Sequence, residues 1–410
     1  MKVTHICSTQ HSGAGIAALR LFEALRRQHD EVYFASKDAA AEKHHIQIQY
    51  YPTHWTEKNR LLRQLTQKYS QLKRSRIQDI SSIQSFYSSC QTGYRPAHFQ
   101  EFADSDILHF HWMAQLLDWQ HCLPWMAARA KLVWTLHDLN PLQGIWHYEP
   151  EKEISNPQIL KWDARTRSIK AAVFNQIPAN RLSFVAPSKW MAAKIQSTPV
   201  TQKFAVHTIA NTIDTQDFHP IDKKLARKAL SIPTTAKVIG FICDDMTDPR
   251  KGMRYLLSAL KSTASEGYTL LTAGKQPSHE HLPPPIDWRH LGALQSDALL
   301  RLFYSAMDLF VIPSTQDNLP NTILEAMACG TPCVGFNVGG IPDMIHENKT
   351  GHLVAPKDAE ALALTLKNAL DQPQHLQAMS QQARAYAESE YNTTSQANKH
   401  MALYRKLLSQ

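Results

Sequence analysis

The sequence predicts an α/β protein made of two Rossmann-like, doubly wound parallel-sheet domains. Three observations carry this: the chain length, an alternation of strand and helix patterns, and a second start of that alternation near residue 210. At 410 residues the chain has room for two to three domains of about 150 residues, each with its own core. VTHICST (3–9) reads as a strand, HSGAG (11–15) as a glycine turn, IAALRLFEALRRQ (16–28) as an amphipathic helix and EVYFASK (31–37) as a strand, which makes a βαβ unit. ILHFHW (107–112), KLVWTLHD (131–138) and RLSFVAPS (181–188) continue the strand series. After FAVHTIANTID (204–214) the pattern restarts with strand AKVIGFIC, helix GMRYLLSALKST, strands YTLLTAG and DWRHLGAL, helix DALLRLFYSAM, strand DLFVIPS, helix NTILEAMA and strand CVGF. The expected boundaries are 1–207 for the first domain and 208–390 for the second, with a final helix, 391–410, crossing back to the first. Open parallel sheets bind ligands beyond the carboxyl ends of their strands, so two facing sheets predict a cleft lined by both sets of loops.

Composition narrows the class of partner. With 43% hydrophobic and 20% charged residues the chain reads as an ordinary soluble protein, and no apolar run approaches the ~20 residues of a membrane span. The opening MKVTHICSTQ is too short in apolar residues for a signal peptide, so a cytoplasmic location is expected. Cys7, Cys90, Cys122, Cys243, Cys329 and Cys333 are scattered without metal-ligand pairing and are assigned to packing. A net charge of +8 favours acidic partners. Nucleic acid is not expected among them, because the basic residues do not form a face interleaved with aromatics.

Gly13-Ala14-Gly15 follows a strand and precedes a helix, with Asp38 beyond the second strand. Three readings stay open: a dinucleotide fingerprint, a structural tight turn, or an amide-lined turn touching a phosphate or sugar. STQDNLPNTILEAMACGTP (314–332) carries Asp317 and Glu325 around a helix start, with Pro320 suited to the first helical position. The amides near Leu319, Pro320, Asn321 and Thr322 form an expected diphosphate site. Asp317 can then reach the hydroxyls of an attached sugar, and Glu325 a ribose diol. The plainer alternative makes Asp317 a cap and Glu325 a solvated helix charge. Arg250 and Lys251, after AKVIGFIC, suit neutralisation of a leaving diphosphate, or else form an exposed basic turn. Gly274 and Gly292 close strand patterns and are expected to bring main chain close to the base. His137 and Asp138 end one strand pattern and His111 another, where crevice residues belong; a packed histidine is the other reading of His111. No His, Cys or Asp group has zinc spacing, and no metal and no cofactor are expected.

These stretches together resemble the retaining GT-B-fold glycosyltransferases of the large family 4 (group 1) class, and the likeness runs over nearly the whole chain. EAMACGTPCVGFNVGGIPDMI (325–345) resembles their donor-domain core, HSGAGIAALRLFEAL their N-terminal glycine loop, KLVWTLHDLNPLQGIWHY their acceptor-side loop, and APSKWM and IANTID their interdomain segment. The acids form a carboxylate-x7-carboxylate motif. Asp317 stands where Glu is usual, Pro320 where glycine is usual, and Ser12 where the first glycine of a pair is usual. The resemblance implies transfer of a hexose-type sugar, with retention, from a UDP or GDP sugar to a saccharide or lipid-linked saccharide acceptor. It implies Lys251 and Arg250 at the diphosphate, His137 at the sugar or acceptor, and Gly339-Gly340-Ile341-Pro342 beside the donor. The rivals are a nucleotide-sugar epimerase on a similar scaffold and a non-catalytic nucleotide-sugar-binding protein. Many relatives build bacterial surface polysaccharides. Residues 58–77 carry Lys58, Arg60, Arg63, Lys68, Lys73, Arg74 and Arg76 without an acid, with Leu61, Leu65, Tyr69 and Leu72 on one helical face, a pattern that can lie on an anionic membrane surface.

Overall fold

The computed structural model describes residues 1–38, 44–48, 87–92, 94–151, 153–263, 266–275 and 284–410. The basic stretch 58–77 lies outside them. The chain divides into two compact units, one of 1–186, 192–208 and 401–410, the other of 187–191 and 209–400. No helix among the described residues is long and apolar enough to cross a membrane.

The first unit holds an all-parallel, seven-stranded sheet in the order β3-β2-β1-β4-β5-β6-β7. Its strands are β1 (Val3–Ile6), β2 (Val32–Ser36), β3 (His45–Gln47), β4 (Ile107–Phe110), β5 (Lys131–Thr135), β6 (Leu182–Ala186) and β7 (Ala205–Thr208). Helices α1 (Gly13–Arg26), α2 (Trp119–Ala127) and α3 (Pro157–Gln176) join them. β1, β4 and β6 are buried along their whole length, as the continuous apolar runs of a sheet covered on both faces require. The short strand β3 follows the expected strand β2 without a sequence signal of its own.

HSGAG is not a turn that precedes the helix. Ser12 caps α1 by accepting from the Gly15 amide at 3.1 Å, so both glycines belong to the first helical turn. Around Gly13 there is open space, whereas a Cβ on Gly15 would stand 2.1 Å from the Thr9 carbonyl oxygen. The close backbone approach expected at Gly13 therefore occurs at Gly15, within the protein's own loop.

The second unit holds a six-stranded parallel sheet in the order β10-β9-β8-β11-β12-β13. These are β8 (Val238–Asp245), β9 (Thr269–Lys275), β10 (Asp287–His290), β11 (Leu309–Ile312), β12 (Cys333–Phe336) and β13 (Gly351–Val354). Helices α4 (Lys189–Ser197), α5 (Lys223–Ala229), α6 (Met253–Ser262), α7 (Asp297–Ser305), α8 (Asn321–Ala328), α9 (Ala359–Leu370), α10 (Pro373–Glu390) and α11 (Thr393–Leu408) complete the chain. One face of this sheet packs Phe303, Met307, Ile323 and Met327, the other Leu256, Leu260, Leu362 and Leu366. Pro320 takes the cap position, with extended backbone, and α8 begins at Asn321, one residue later than expected. All six cysteines are free and buried.

Gly252, between the short 3-10 turn Pro249–Lys251 and α6, has φ of +74°, and a Cβ there would stand 1.8 Å from the Pro313 carbonyl oxygen. Backbone strain and a steric clash therefore combine in Gly252→Ala, which should cost at least ~1 kcal/mol, read as a lower urea midpoint at unchanged m-value. Gly13→Ala, in open helical space, should be neutral or slightly stabilising in the same measurement.

Candidate active site

In the second sheet the chain runs outward from β8 through β9 to β10, then returns to place β11 on the other side of β8. The reversal leaves the loops after β8 and β11 side by side, the position where open parallel sheets bind ligands. Lys251 and Asp317 meet there, with Lys251 Nζ donating to Asp317 Oδ2 at 2.7 Å. Arg250 Nη1 lies 3.5 Å from the same oxygen and donates to the Gln316 carbonyl at 2.9 Å, while Nη2 donates to Asp248 at 3.1 Å. The Thr315 amide donates back to the Arg250 carbonyl at 2.8 Å. Arg250 and Lys251 are thus a braced pair of cations rather than an exposed basic turn.

Asp317 is only 7% exposed. Burial alone would raise its carboxyl, but Lys251, Arg250 and the Asn318 amide outweigh burial and hold it below the usual carboxylate range. It does not cap α8, whose cap residue, Pro320, offers no side-chain bond. The backbone around it is fixed from several sides. The Gly340 amide donates to the Asp317 carbonyl at 3.1 Å. Gly339, with φ of +57°, packs so closely that a Cβ would stand 1.8 Å from that carbonyl oxygen. Ser188 Oγ donates to Asn318 at 2.6 Å, and Asn211 Nδ2 donates to the Leu319 carbonyl at 3.1 Å. The APSKWM and IANTID segments therefore brace the acidic loop.

Glu325 is 5% exposed and accepts from the Tyr304 hydroxyl at 2.8 Å, so it is not a solvated helix charge. Tyr304 was not legible as a site residue; no spacing in the sequence ties α7 to α8. Leu319, Pro320, Asn321 and Thr322 lead into α8, and the Gly274 amide donates to the Gly292 carbonyl at 2.9 Å, joining the end of β9 to the residues that follow β10.

The first unit gathers a second group of polar side chains, also at a reversal, where β1 and β4 are neighbours. The strands end earlier than the patterns suggest, β4 at Phe110 and β5 at Thr135, so His111, His137 and Asp138 stand just past them. His111 is buried and bonded on both sides, Nε2 to His5 Nδ1 at 3.0 Å and Nδ1 to His137 Nε2 at 3.1 Å. His137 is partly exposed, and burial pushes its imidazole down to about 4, against a smaller opposing effect of Asp138. The oxygens of Asp138 are held by Trp112 Nε1 at 2.9 Å, by His147 Nδ1 and by the Asn140 amide at 3.0 Å. Burial works to raise this carboxyl, yet His147 and the Asn140 amide keep it below its ordinary range. Lys170, buried against the loop after Asp138, donates to the Gly144 carbonyl at 2.7 Å and to Asn140, and burial pushes its ammonium down to about 7. His111, Trp112, His137, Asp138, Asn140 and His147 line a cavity of about 10 Å³, room for one water molecule.

Two further groups of side chains bear on the glycine loop and on the histidines of the first unit. Asp38 Oδ2 accepts from Thr9 Oγ1 at 2.9 Å and from the Gln10 amide at 2.6 Å, so it ties down the loop before α1, which is a structural use of the residue a dinucleotide site would need. His5, His109 and His111 come together with ring nitrogens within 4.8 Å of one another, a grouping that zinc-like sequence spacing does not reveal.

The two parallel Rossmann-like sheets are those of the GT-B glycosyltransferases. Sucrose-phosphate synthase from Thermosynechococcus elongatus shares the fold with a TM-score of 0.68 at 18% identity, over 100% of each chain. HepE from Anabaena, solved in complex with UDP-glucose, gives 0.64 at 18% identity, covering 98% of this chain and 100% of that one. Residues 236–372 match the family described as glycosyl transferases group 1, so the second unit carries a group 1 glycosyltransferase domain. Among characterised relatives, a D-inositol 3-phosphate glycosyltransferase from Corynebacterium urealyticum is 25% identical over 321 residues, 74% of this chain and 72% of that protein.

The charge pairing at Asp317 gives a pH prediction. Because its folded value is depressed, its stabilising contribution is present above the unfolded value of ~3.9 and is lost as pH falls through the lower folded value. Lys251→Met removes the nearest cation, so the folded value should climb and acid unfolding should begin at higher pH. At pH 7 the variant should lose ~2–3 kcal/mol, somewhat less than for a fully buried pair, because Arg250 remains; chemical unfolding across pH 3 to 7 measures both effects.

Proposed function

We propose that the protein is a retaining, metal-independent hexosyltransferase that moves a sugar from a nucleoside diphosphate donor to an acceptor hydroxyl. The observation that carries this reading is the meeting of Lys251, Arg250 and Asp317 at the strand reversal of a group 1 glycosyltransferase domain. UDP is the favoured nucleotide of the two, since HepE, of the same fold, binds UDP and UDP-glucose. In glycosyl transfer, positive charge grows on the sugar and negative charge on the departing diphosphate. Lys251 has three N–H donors, and its bond to Asp317 uses one. Fixed cations near the phosphate stabilise the transition state more than the ground state, because the charge they face increases along the reaction.

Asp317 then orients the sugar, with its shorter side chain standing where Glu is usual, while Arg250 keeps its own bonds to the Gln316 carbonyl and Asp248. Glu325, held by Tyr304, accepts from the ribose diol. Leu319 to Thr322 offer backbone at the diphosphate, with Gly13 as a further donor-side group, and the Gly274–Gly292 pair approaches the base. His137 contacts sugar or acceptor, His111 supports it, and Asp138 contributes by pinning the loop that presents it. The departing phosphate oxygen takes the acceptor's proton, which removes the need for a separate base. The acceptor is a saccharide, free or lipid-linked.

Thermal shift against a panel of nucleoside diphosphates tests the reading. A ligand at a hundred times its dissociation constant adds ~2.7 kcal/mol, so UDP should raise the melting temperature clearly, and a flat panel would remove the proposal. Glu325→Gln should weaken UDP by ~1.5–3 kcal/mol, measured by calorimetry. Asp317→Asn should retain UDP affinity while sugar transfer falls; equal loss of both would contradict the division of roles. Peripheral attachment through residues 58–77 predicts flotation with anionic vesicles that is abolished by high salt, and no flotation at low salt would favour a soluble acceptor.

A further inference from the structure

We propose that His5 and His111 are positioning residues that set the tautomer of His137 through a hydrogen-bonded chain of imidazoles. The inference rests on the reading of His137 as a sugar or acceptor contact, and it assigns work to two buried histidines that do not face a substrate. His5 is in β1, and His109, its register partner in β4, shares a sheet face with His111 two residues on. The resulting stack is continuous: ring centroids are 5.3 Å apart for His5 and His111, 4.4 Å for His109 and His111, and 5.4 Å for His111 and His137.

A metal is the obvious competitor, and the hydrogen bonds the three rings already make disfavour it. The candidate ligands would be His5, His109 and His111, whose ring planes meet at 18° for His5 with His111, 27° for His109 with His111 and 40° for His5 with His109. Both nitrogens of His109 are already engaged, Nδ1 with the Tyr404 hydroxyl at 2.6 Å and Nε2 with Thr135 Oγ1 at 2.7 Å.

The chain instead runs through nitrogen-to-nitrogen hydrogen bonds, His5 Nδ1 to His111 Nε2 at 3.0 Å and His111 Nδ1 to His137 Nε2 at 3.1 Å. A neutral imidazole has one donor and one acceptor nitrogen. If His5 donates from Nδ1, His111 must accept at Nε2 and donate from Nδ1, and His137 must accept at Nε2 and keep its proton on Nδ1. If His5 accepts, every ring holds its proton on Nε2. Mixed states break a hydrogen bond in a buried stack, so the three rings carry one tautomer. The role that His137 Nδ1 offers a hydroxyl, donor or acceptor, is thereby fixed two rings away.

Nitrogen-resolved NMR of the histidine rings in the full chain, without substrate, reads each tautomer directly. His5, His111 and His137 should share one tautomer at pH 7. His5→Phe keeps a ring in the stack but no nitrogen, and should move the His137 tautomer ratio by about threefold or more, the lower range of what one hydrogen bond is worth; His5→Gln serves if the Phe variant does not fold. Different tautomers among the three wild-type rings, or a His137 ratio unmoved by the His5 variants, would overturn the proposal. So would selective broadening of the His5, His109 and His111 signals by added Co²⁺, which would make the cluster a metal site. Sugar transfer by His5→Phe should lose about tenfold in kcat/KM with UDP affinity unchanged. A shifted His137 tautomer with unchanged transfer would keep the imidazole chain and remove His137 from the substrate, so the two failures are distinguishable.

Discussion

A carboxylate buried at Asp317 constrains most of what surrounds it. An ionised group out of water is tolerated only with opposite charge and hydrogen bonds at hand, and here those come from Lys251, Arg250 and the Asn318 amide. The cations belong to the loop after β8, so β8 and β11 must be neighbours and their loops must end together. The carbonyl of the same residue is covered by Gly339 and Gly340, which ties the turn after β12 to the same point. Even Ser188, from the middle of the sequence, belongs to this assembly through Asn318. The desolvated charge thus calls the loop after β8 to its side, while the backbone that carries it holds the turn after β12 and Ser188 at the same point.

Much of this was legible from residue order. Alternation of apolar runs with helical periodicity locates the strands flanking both reversals, and the acids and cations of the second unit stand out in the sequence by residue type and spacing. What escaped has a physical reason in each case. The end of a strand is set by where hydrogen bonding to its neighbour stops, which a pattern read along one segment does not contain, so His111 and His137 proved to stand beyond β4 and β5. Helix starts depend on the cap: Ser12 can accept from Gly15, and that single bond moved Gly13 and Gly15 from turn to helix.

Side-chain partnerships across strands were the least legible. His5, His109 and His111 are separated by up to 106 positions, and only the period-two projection of paired strands puts them on one face. His109-x-His111 and Thr135-x-His137 each carry that period, but the pairing of β1 with β4 and β4 with β5 is needed to turn two short patterns into one stack. Tyr304 and Glu325 illustrate the same point in the second unit, where helix packing supplies a contact between residues 21 positions apart.

The six buried cysteines have a practical consequence. Burial pushes the thiols of Cys7 and Cys90 up to about 11 and those of Cys122, Cys243 and Cys329 up to about 12, and that of Cys333 higher still. Since the thiolate is the reactive species, a group at about 11 is ionised roughly once in ten thousand molecules at pH 7. The native sulfurs are therefore nearly silent toward maleimides and iodoacetamides while the chain stays folded. A pair of cysteines introduced on exposed helices of one unit can carry two labels in the otherwise unaltered sequence, which opens the motion within that unit to distance measurement without first stripping the protein of its own thiols.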